Sequence, residues 1–228
     1  MKIAIITARG GSKRIPRKNI KLFLGFPIIK YSIEAAINSG CFDEVMVSTD
    51  DDEIAQIAIS LGAKVPFVRT AKTSDDYSTT CDVLEEVILD YQNLGKEFEY
   101  LCCIYPTAPF VTAQKLRYAM SILENSDADC VLPIVGFSYP IQRSLIIEDG
   151  KVVMNWPENY SSRSQDLIPT FHDCGQYYCM KTESMLTQKR LFTTFTIPVI
   201  TSELEVQDID NEVDWKLAEL KYEFLKQL

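Results

Sequence analysis

From its first residue the chain alternates short apolar runs with longer amphipathic stretches. Lys2–Ala8 (KIAIITA) is continuous and rich in isoleucine, the pattern of a strand buried on both faces. A polar loop, Arg9–Asn19, follows it. Pro27 can open a helix that runs to about Ser39 and closes at Gly40. Glu44–Ser48 (EVMVS) reads as a second strand. Thr49 or Asp50 would cap a helix reaching Leu61, with Gly62 ending it. Lys64–Val68 reads as a third strand, Ser78–Leu94 as a helix, Tyr100–Ile104 (YLCCI) as a buried strand, Thr112–Asn125 as a helix and Cys130–Val135 as a strand. Repeated strand-then-helix order predicts an α/β fold, Rossmann-like, with a mostly parallel sheet and helices on both faces.

The rhythm breaks over residues 137–171. Pro140, Pro157 and Pro169, an Asp149-Gly150 hairpin turn and scattered aromatics replace the alternation. We read a single domain, 1–228, carrying 137–171 as an inserted β-rich excursion. Its apolar side chains (Leu145, Ile146, Ile147, Val152, Val153, Trp156) are many for a solvated flap. They fit burial against a partner subunit better than a flap folded on its own domain. The chain then returns through a strand near Gln176–Met180, a short helix, a strand at Thr196–Ile200 and a last helix, about Glu212–Lys226.

Charge sharpens this picture. The whole chain has a formal net charge of −9, yet residues 1–33 hold Lys2, Arg9, Lys13, Arg14, Arg17, Lys18, Lys21 and Lys30 with no Asp or Glu. An acidic body disfavours nucleic acid as partner, and a compact basic cluster suits a small, highly charged anion. No apolar run approaches the ~20 residues of a membrane span, and no export signal precedes the first strand. A cytoplasmic protein with reduced thiols is expected. The seven cysteines include no C-x-x-C, and His172 is the single histidine. Neither a disulfide framework nor a zinc finger is indicated, and His-rich metal sites and mechanisms needing two histidines are excluded.

Four stretches carry candidate chemistry. Ala8-Arg9-Gly10-Gly11-Ser12-Lys13, continuing to Lys18-Asn19, follows the first strand, where ligands bind in open α/β sheets. Gly10 and Gly11 would let the backbone approach a ligand, and Arg9, Lys13 and Lys18 would neutralise a polyphosphate. With no acid in this stretch to balance its bases, we read it as a seat for an outside anion. Neither G-x-x-x-x-G-K-[ST] nor G-x-G-x-x-G occurs. Asp208 and Asp210 flank Ile209; if extended, both carboxylates share one face and suit Mg²⁺, while the competing reading has Asp210 capping the last helix. Ser74–Thr80 is a hydroxyl-rich loop that either presents hydroxyls to a sugar or base or simply caps the next helix. Arg163-Ser164-Gln165-Asp166 and His172-Asp173 gather polar groups where the chain re-enters the sheet, for carboxylate binding or acid–base work.

These segments resemble a known family. Ala8–Lys13 with Pro16 and Lys18-Asn19, then Val47-Ser48-Thr49-Asp50, Pro106-Thr107-Ala108-Pro109 and Asp208-Ile209-Asp210, match in order the motifs of the CMP-sialic acid synthetases, or acylneuraminate cytidylyltransferases. The resemblance covers about residues 1–225. Tyr105 where that family usually has Gln, His172 where it usually has Arg, and the stretches Ile141-Gln142-Arg143 and Arg163–Tyr177 are similar to the pseudaminic acid cytidylyltransferases. The resemblance implies a nucleotide-diphospho-sugar transferase type of fold and a Mg²⁺-dependent transfer of CMP from CTP to a nine-carbon keto sugar acid, most closely pseudaminic acid. The alternatives are a sialic or legionaminic acid substrate, another keto-sugar nucleotidyltransferase, for instance for an eight-carbon sugar, or a catalytically silent nucleotide-sugar binding protein. It also implies residue roles. Arg9, Ser12 and Lys13 would hold the triphosphate, with Ala8, Gly10, Gly11 and Lys18 around it and Asn19 on the nucleotide. Arg69, Tyr77 and Thr79 would lie near base and ribose; Tyr105, Gln165, His172 and Gln176 would shape the sugar pocket; Asp208 and Asp210 would bind Mg²⁺. A homodimer is implied, the excursion reaching the neighbouring subunit.

Overall fold

The computed structural model describes residues 1–227. Its strands are β1 (Lys2–Thr7), β2 (Leu22–Phe23), β3 (Phe26–Pro27), β4 (Glu44–Ser48), β5 (Tyr100–Ile104), β6 (Cys130–Gly136), β7 (Leu145–Glu148), β8 (Lys151–Met154), β9 (Phe171–Asp173), β10 (Tyr177–Lys181) and β11 (Thr196–Ile200). Its helices are α1 (Ile29–Ser39), α2 (Asp52–Ser60), α3 (Thr80–Asn93), α4 (Ala113–Glu124), α5 (Thr182–Gln188) and α6 (Glu212–Leu225). The main sheet runs β11-β6-β10-β5-β1-β4, with β9 also paired to β6. β1, β4, β5, β6 and β11 point one way, while β9 and β10 run against them. The sheet is therefore mixed in pairing and mostly parallel in direction.

β1 explains the layering. Ile3, Ala4, Ile5 and Ile6 have no exposed surface. Ala4 and Ile6 pack with Ile29 and Ile33 of α1, Ile54 of α2 and Leu116 of α4. Ile3 and Ile5 pack on the opposite face with Leu84 and Ile88 of α3 and Met185 of α5. A strand covered on both faces needs apolar residues at successive positions, hence its unbroken run. A third cluster joins distant segments: Ile15 and Phe23 from the N-terminal loop region pack with Phe110, Ile209 and Trp215.

Several boundaries correct the sequence reading. Lys64–Val68 is no strand; it makes isolated bridges from Lys64 to Met46 and from Val68 to Thr49. Pro66 lies between them, and without an N–H it cannot continue a ladder. Pro27 does not open a helix; it closes the small β2–β3 hairpin, turned by Leu24 and Gly25 at positive φ. Asp51, rather than Thr49 or Asp50, caps α2 by accepting from the Ile54 N–H at 3.0 Å. Asn211, rather than Asp210, caps α6, with Asp214 completing a capping box. All seven cysteines are free thiols.

Glu44 illustrates how a buried charge is held. Its carboxylate accepts from the Tyr91 hydroxyl at 2.9 Å and from Lys64 Nζ at 2.9 Å, with Lys96 Nζ at 3.3 Å. Burial works to raise its pKa, but the hydrogen bonds from Lys64, Tyr91 and Lys96 outweigh it and hold the group below the usual carboxylate range. A depressed pKa contributes stability above the unfolded value, about 4.3, and loses it as pH falls through the folded value. Tyr91→Phe, which leaves this carboxylate short of one donor, should cost about 1–3 kcal/mol near neutral pH in urea unfolding. The gap to wild type should shrink below about pH 4.3; a gap that is absent at neutral pH, or constant into acid, would refute this account.

Candidate active site

A cleft of about 490 Å³ opens where β1 and β5 end. The chain leaves β1 for β4 on one side and later returns to β5 on the other, so this is a topological switch point. Arg9, Ser12, Lys13, Arg14, Lys18 and Asn19 line one wall. Thr73, Asp75, Asp76, Thr79 and Thr80 face them, with Tyr105, Pro106 and Thr107 at the β5 end.

The glycine-containing loop is pinned from behind. The Gly10 N–H donates to Asp50 Oδ1 at 2.8 Å, and Asn19 Nδ2 donates to the Arg9 carbonyl at 2.8 Å. The buried Asn19 thus ties the loop while also lining the cleft. Arg17, in left-handed backbone conformation at φ 55, donates both guanidinium arms to Asp51 and one to Glu53. The Arg17 hydrogen bond brings the Asp51 carboxyl down to about 2. A Cβ on Gly10 would lie 2.7 Å from Asp51 Oδ2 and 3.0 Å from Asp51 Cβ, so this position needs glycine for space. A Cβ on Gly11 would meet nothing within 4 Å, so of the two glycines only Gly10 is confined by the protein itself.

The bases are not left unbalanced, which corrects the sequence expectation. Arg9 Nη1 donates to Asp76 Oδ1 at 2.7 Å, and Lys13 pairs with Asp76 Oδ2. Arg14 pairs with Asp210 at 2.7 Å, and Lys21 with Glu212 at 2.5 Å. These acids come from later in the chain, so a count within residues 1–33 could not reveal them. Lys18 donates to the Ile209 carbonyl at 2.7 Å. Burial lowers the Lys18 pKa, and the charges of Asp210 and Asp208 oppose that shift.

Asp208 and Asp210 flank the buried Ile209 as expected of an extended segment. Asp208 keeps one side in solvent, yet surrounding protein strips part of its water; that desolvation, then Asp210's charge, pushes its carboxyl up. Asp208 lines a second hollow of about 350 Å³ beside Phe137, His172, Glu203 and Lys221.

The remaining predicted residues are spread out. Arg69 lines the cleft but is buried, donating to Ser48 Oγ at 2.9 Å and the Ser48 carbonyl at 2.6 Å. Thr79 lines the cleft and caps α3 through a capping box with Asp82. Tyr77 is 91% exposed and faces an outer hollow instead. Tyr105 lies in the cleft, its hydroxyl 3.1 Å from Thr80 Oγ1. Gln165 is exposed on the excursion, and His172 stacks near Phe137 at 4.8 Å in the second hollow. Gln176 is buried, tying the Glu205 carbonyl at 2.7 Å while its own Oε1 accepts no hydrogen bond. Tyr105 alone of the proposed sugar set reaches the cleft. Asp76 and Arg14 were missed as site residues; the only sequence signal for Asp76 was an acid within a hydroxyl-rich loop.

The basic loop lines a switch-point cleft, and the acidic pair lies outside the cleft lining but is tied to the loop through Arg14 and Lys18, an arrangement that suits a nucleotidyltransferase type of site. The cytidylyltransferase family model matches residues 3–226, and the chain belongs to that family. It is 40% identical to a pseudaminic acid cytidylyltransferase of Campylobacter jejuni, over 96% of this chain and 95% of that protein. It is 30% identical to a CMP-N,N'-diacetyllegionaminic acid synthase of Legionella pneumophila, over 95% of this chain and 94% of that one. A CMP:2-keto-3-deoxy-manno-octonic acid synthetase, solved in complex with CTP, shares the fold with a TM-score of 0.69 at 17% identity, covering 100% of this chain and 99% of that chain.

The carboxylate of Asp51 is held by Arg17 and by the α2 cap, so it cannot yield to a methyl group on Gly10. Gly10→Ala should therefore lose about 1–3 kcal/mol in chemical unfolding, and Gly11→Ala less than about 0.5 kcal/mol. Equal losses would remove Asp51 as the wall behind the loop.

Proposed function

We propose that this enzyme transfers CMP from CTP to the anomeric hydroxyl of a nine-carbon keto sugar acid of the pseudaminic type. The observation that carries the reading is the seating of the acidic pair against the basic loop, through Lys18 and the shared Ile15–Ile209 core. The 40% identity over nearly the whole chain supports the pseudaminic acceptor. In the reaction, the sugar's C2 hydroxyl oxygen forms a bond to the α-phosphorus of CTP. The bond from that phosphorus to the α,β-bridging oxygen breaks, pyrophosphate leaves, and the hydroxyl proton passes to solvent.

The residues supply positioning and charge. Arg9, Ser12 and Lys13 hold the β- and γ-phosphates, and Lys18 adds a partly dehydrated positive charge beside the α-phosphate. Tyr105 and Thr80 form the cleft wall toward the acceptor, with His172 across the second hollow. Asp208 and Asp210 fit Mg²⁺: both offer hard carboxylate oxygens, from positions two apart on either side of the buried Ile209. Among the described residues no group of three His, Cys, Asp or Glu is assembled for a metal ion, so phosphate oxygens and water would complete the shell. When bound, Mg²⁺ neutralises phosphate charge and acidifies the attacking hydroxyl. Arg14 must release Asp210 for that binding.

The excursion supports a homodimer. Ile147 is 79% exposed, and Leu145, Val152, Tyr160 and Ile168 are also bare. β7 and β8 form a separate two-stranded sheet, turned by Asp149 and Gly150 at positive φ, and such hairpins are marginal unless covered. A partner seated here would bring Gln165 toward a neighbouring cleft.

Pyrophosphate release with pseudaminic acid should favour CTP over ATP, GTP and UTP, and should require Mg²⁺. Equal turnover with a purine triphosphate would overturn the reading. Because Asn211 caps α6, Asp210→Asn should leave the melting curve near wild type while turnover falls about a hundredfold; full turnover would remove the metal role. Light scattering should report a dimer, and Ile147→Asp with Val152→Asp should yield monomers; a monomeric wild type would sink the assembly.

A further inference from the structure

The two foremost cations of the basic loop converge on one carboxylate of the same chain. Asp76 Oδ1 accepts from Arg9, and Asp76 Oδ2 pairs with Lys13, so both oxygens are engaged. Arg9 Nη1 also donates to the Asp75 carbonyl at 2.9 Å. The segment bearing these groups is built to present them. Asp75 Oδ1 accepts the N–H groups of Tyr77 at 2.9 Å and Ser78 at 2.7 Å, folding a tight turn that aims Asp76 back across the cleft. Anchors stand on both sides: Thr73 is buried and bonded to Glu86, and Thr79 caps α3. Asp75, Asp76 and Tyr77 between them are exposed, so little packing holds this stretch down.

A carboxylate bridging an arginine and a lysine does what a phosphate oxygen pair does at the same cations. We propose that Asp76 is a built-in competitor for the phosphate seat: it satisfies Arg9 and Lys13 itself and is expelled, with the 74–78 turn, when a triphosphate binds. This rests on the reading that Arg9 and Lys13 hold the triphosphate. The device selects by charge. A singly or doubly charged anion gains little over the resident carboxylate, whereas a triphosphate, at about four charges, engages Arg9, Lys13 and Lys18 together and wins. Exposed pairs of this kind are weak, so the competitor can be displaced readily and costs the substrate only a modest factor.

The test uses isothermal calorimetry of the full chain with inorganic tripolyphosphate in EDTA, which probes the anion seat without base, sugar or metal. Asp76→Asn keeps the side-chain shape and removes the charge, and an exposed position should leave melting unchanged. The variant should bind tripolyphosphate about three- to tenfold more tightly than wild type, and its KM for CTP should fall by a similar factor. Wild-type binding with an equal or weaker variant would overturn the competitor and leave the anion seat standing. Failure of both proteins to bind tripolyphosphate would overturn the seat, and the competitor with it.

Discussion

The site depends on one packing event between chain segments about 190 residues apart. Ile15, in the basic loop, and Ile209, between the two aspartates, are both fully or almost fully buried in one cluster with Phe23 and Trp215. Removing these isoleucines from water is worth roughly 1.5–3 kcal/mol each. The Lys18 hydrogen bond to the Ile209 carbonyl then fixes the register between the segments. Apolar burial thereby forces charged neighbours together: Arg14 meets Asp210, and Lys18 lies within the field of both aspartates. Without that core, only exposed ion pairs and the Lys18 hydrogen bond would hold the acids beside the loop.

The loop's other cations find partners elsewhere in the fold. Arg9 and Lys13 answer to the 74–78 turn, Arg14 to the segment before α6, and Arg17 to the start of α2. The pairs differ in character. Arg17 with Asp51 is structural, because it also secures the α2 cap and walls the loop at Gly10. The pairs of Arg9, Lys13 and Arg14 join cations that line the cleft and are solvent-exposed, where such pairs are weak. A single loop thus combines a rear tied into the fold with a front weakly paired across the cleft.

The sheet provides the frame for both. β1 is clamped between β4 and β5 and covered by helices on both faces, which makes its carboxyl end a rigid platform. The antiparallel β10 enters between β5 and β6, and β9 continues along β6, bringing His172 and the excursion to the neighbouring hollow. The excursion itself stays bare, a surface whose apolar area is unlike that of the rest of the frame.

The sequence by itself determined most of the strands and helices of the main sheet and its layers. The runs at Glu44–Ser48, Tyr100–Ile104 and Thr196–Ile200 coincide with β4, β5 and β11, because burial on a sheet leaves an apolar signature over a few adjacent residues. The glycine loop, the Asp208/Asp210 pair and the Asp149-Gly150 turn were legible for the same reason: each is local chemistry at short spacing. What was not legible depends on distance along the chain. Pro66 broke a plausible strand through a missing hydrogen bond, and Asn211 took the cap that Asp210 might equally have supplied from spacing alone. Tyr77 turned outward, Gln176 became a buried tie, and Asp76 met Arg9 across 67 positions. Only the tertiary structure decided these, because a charged or polar side chain takes its role from whichever partner the apolar core delivers to it.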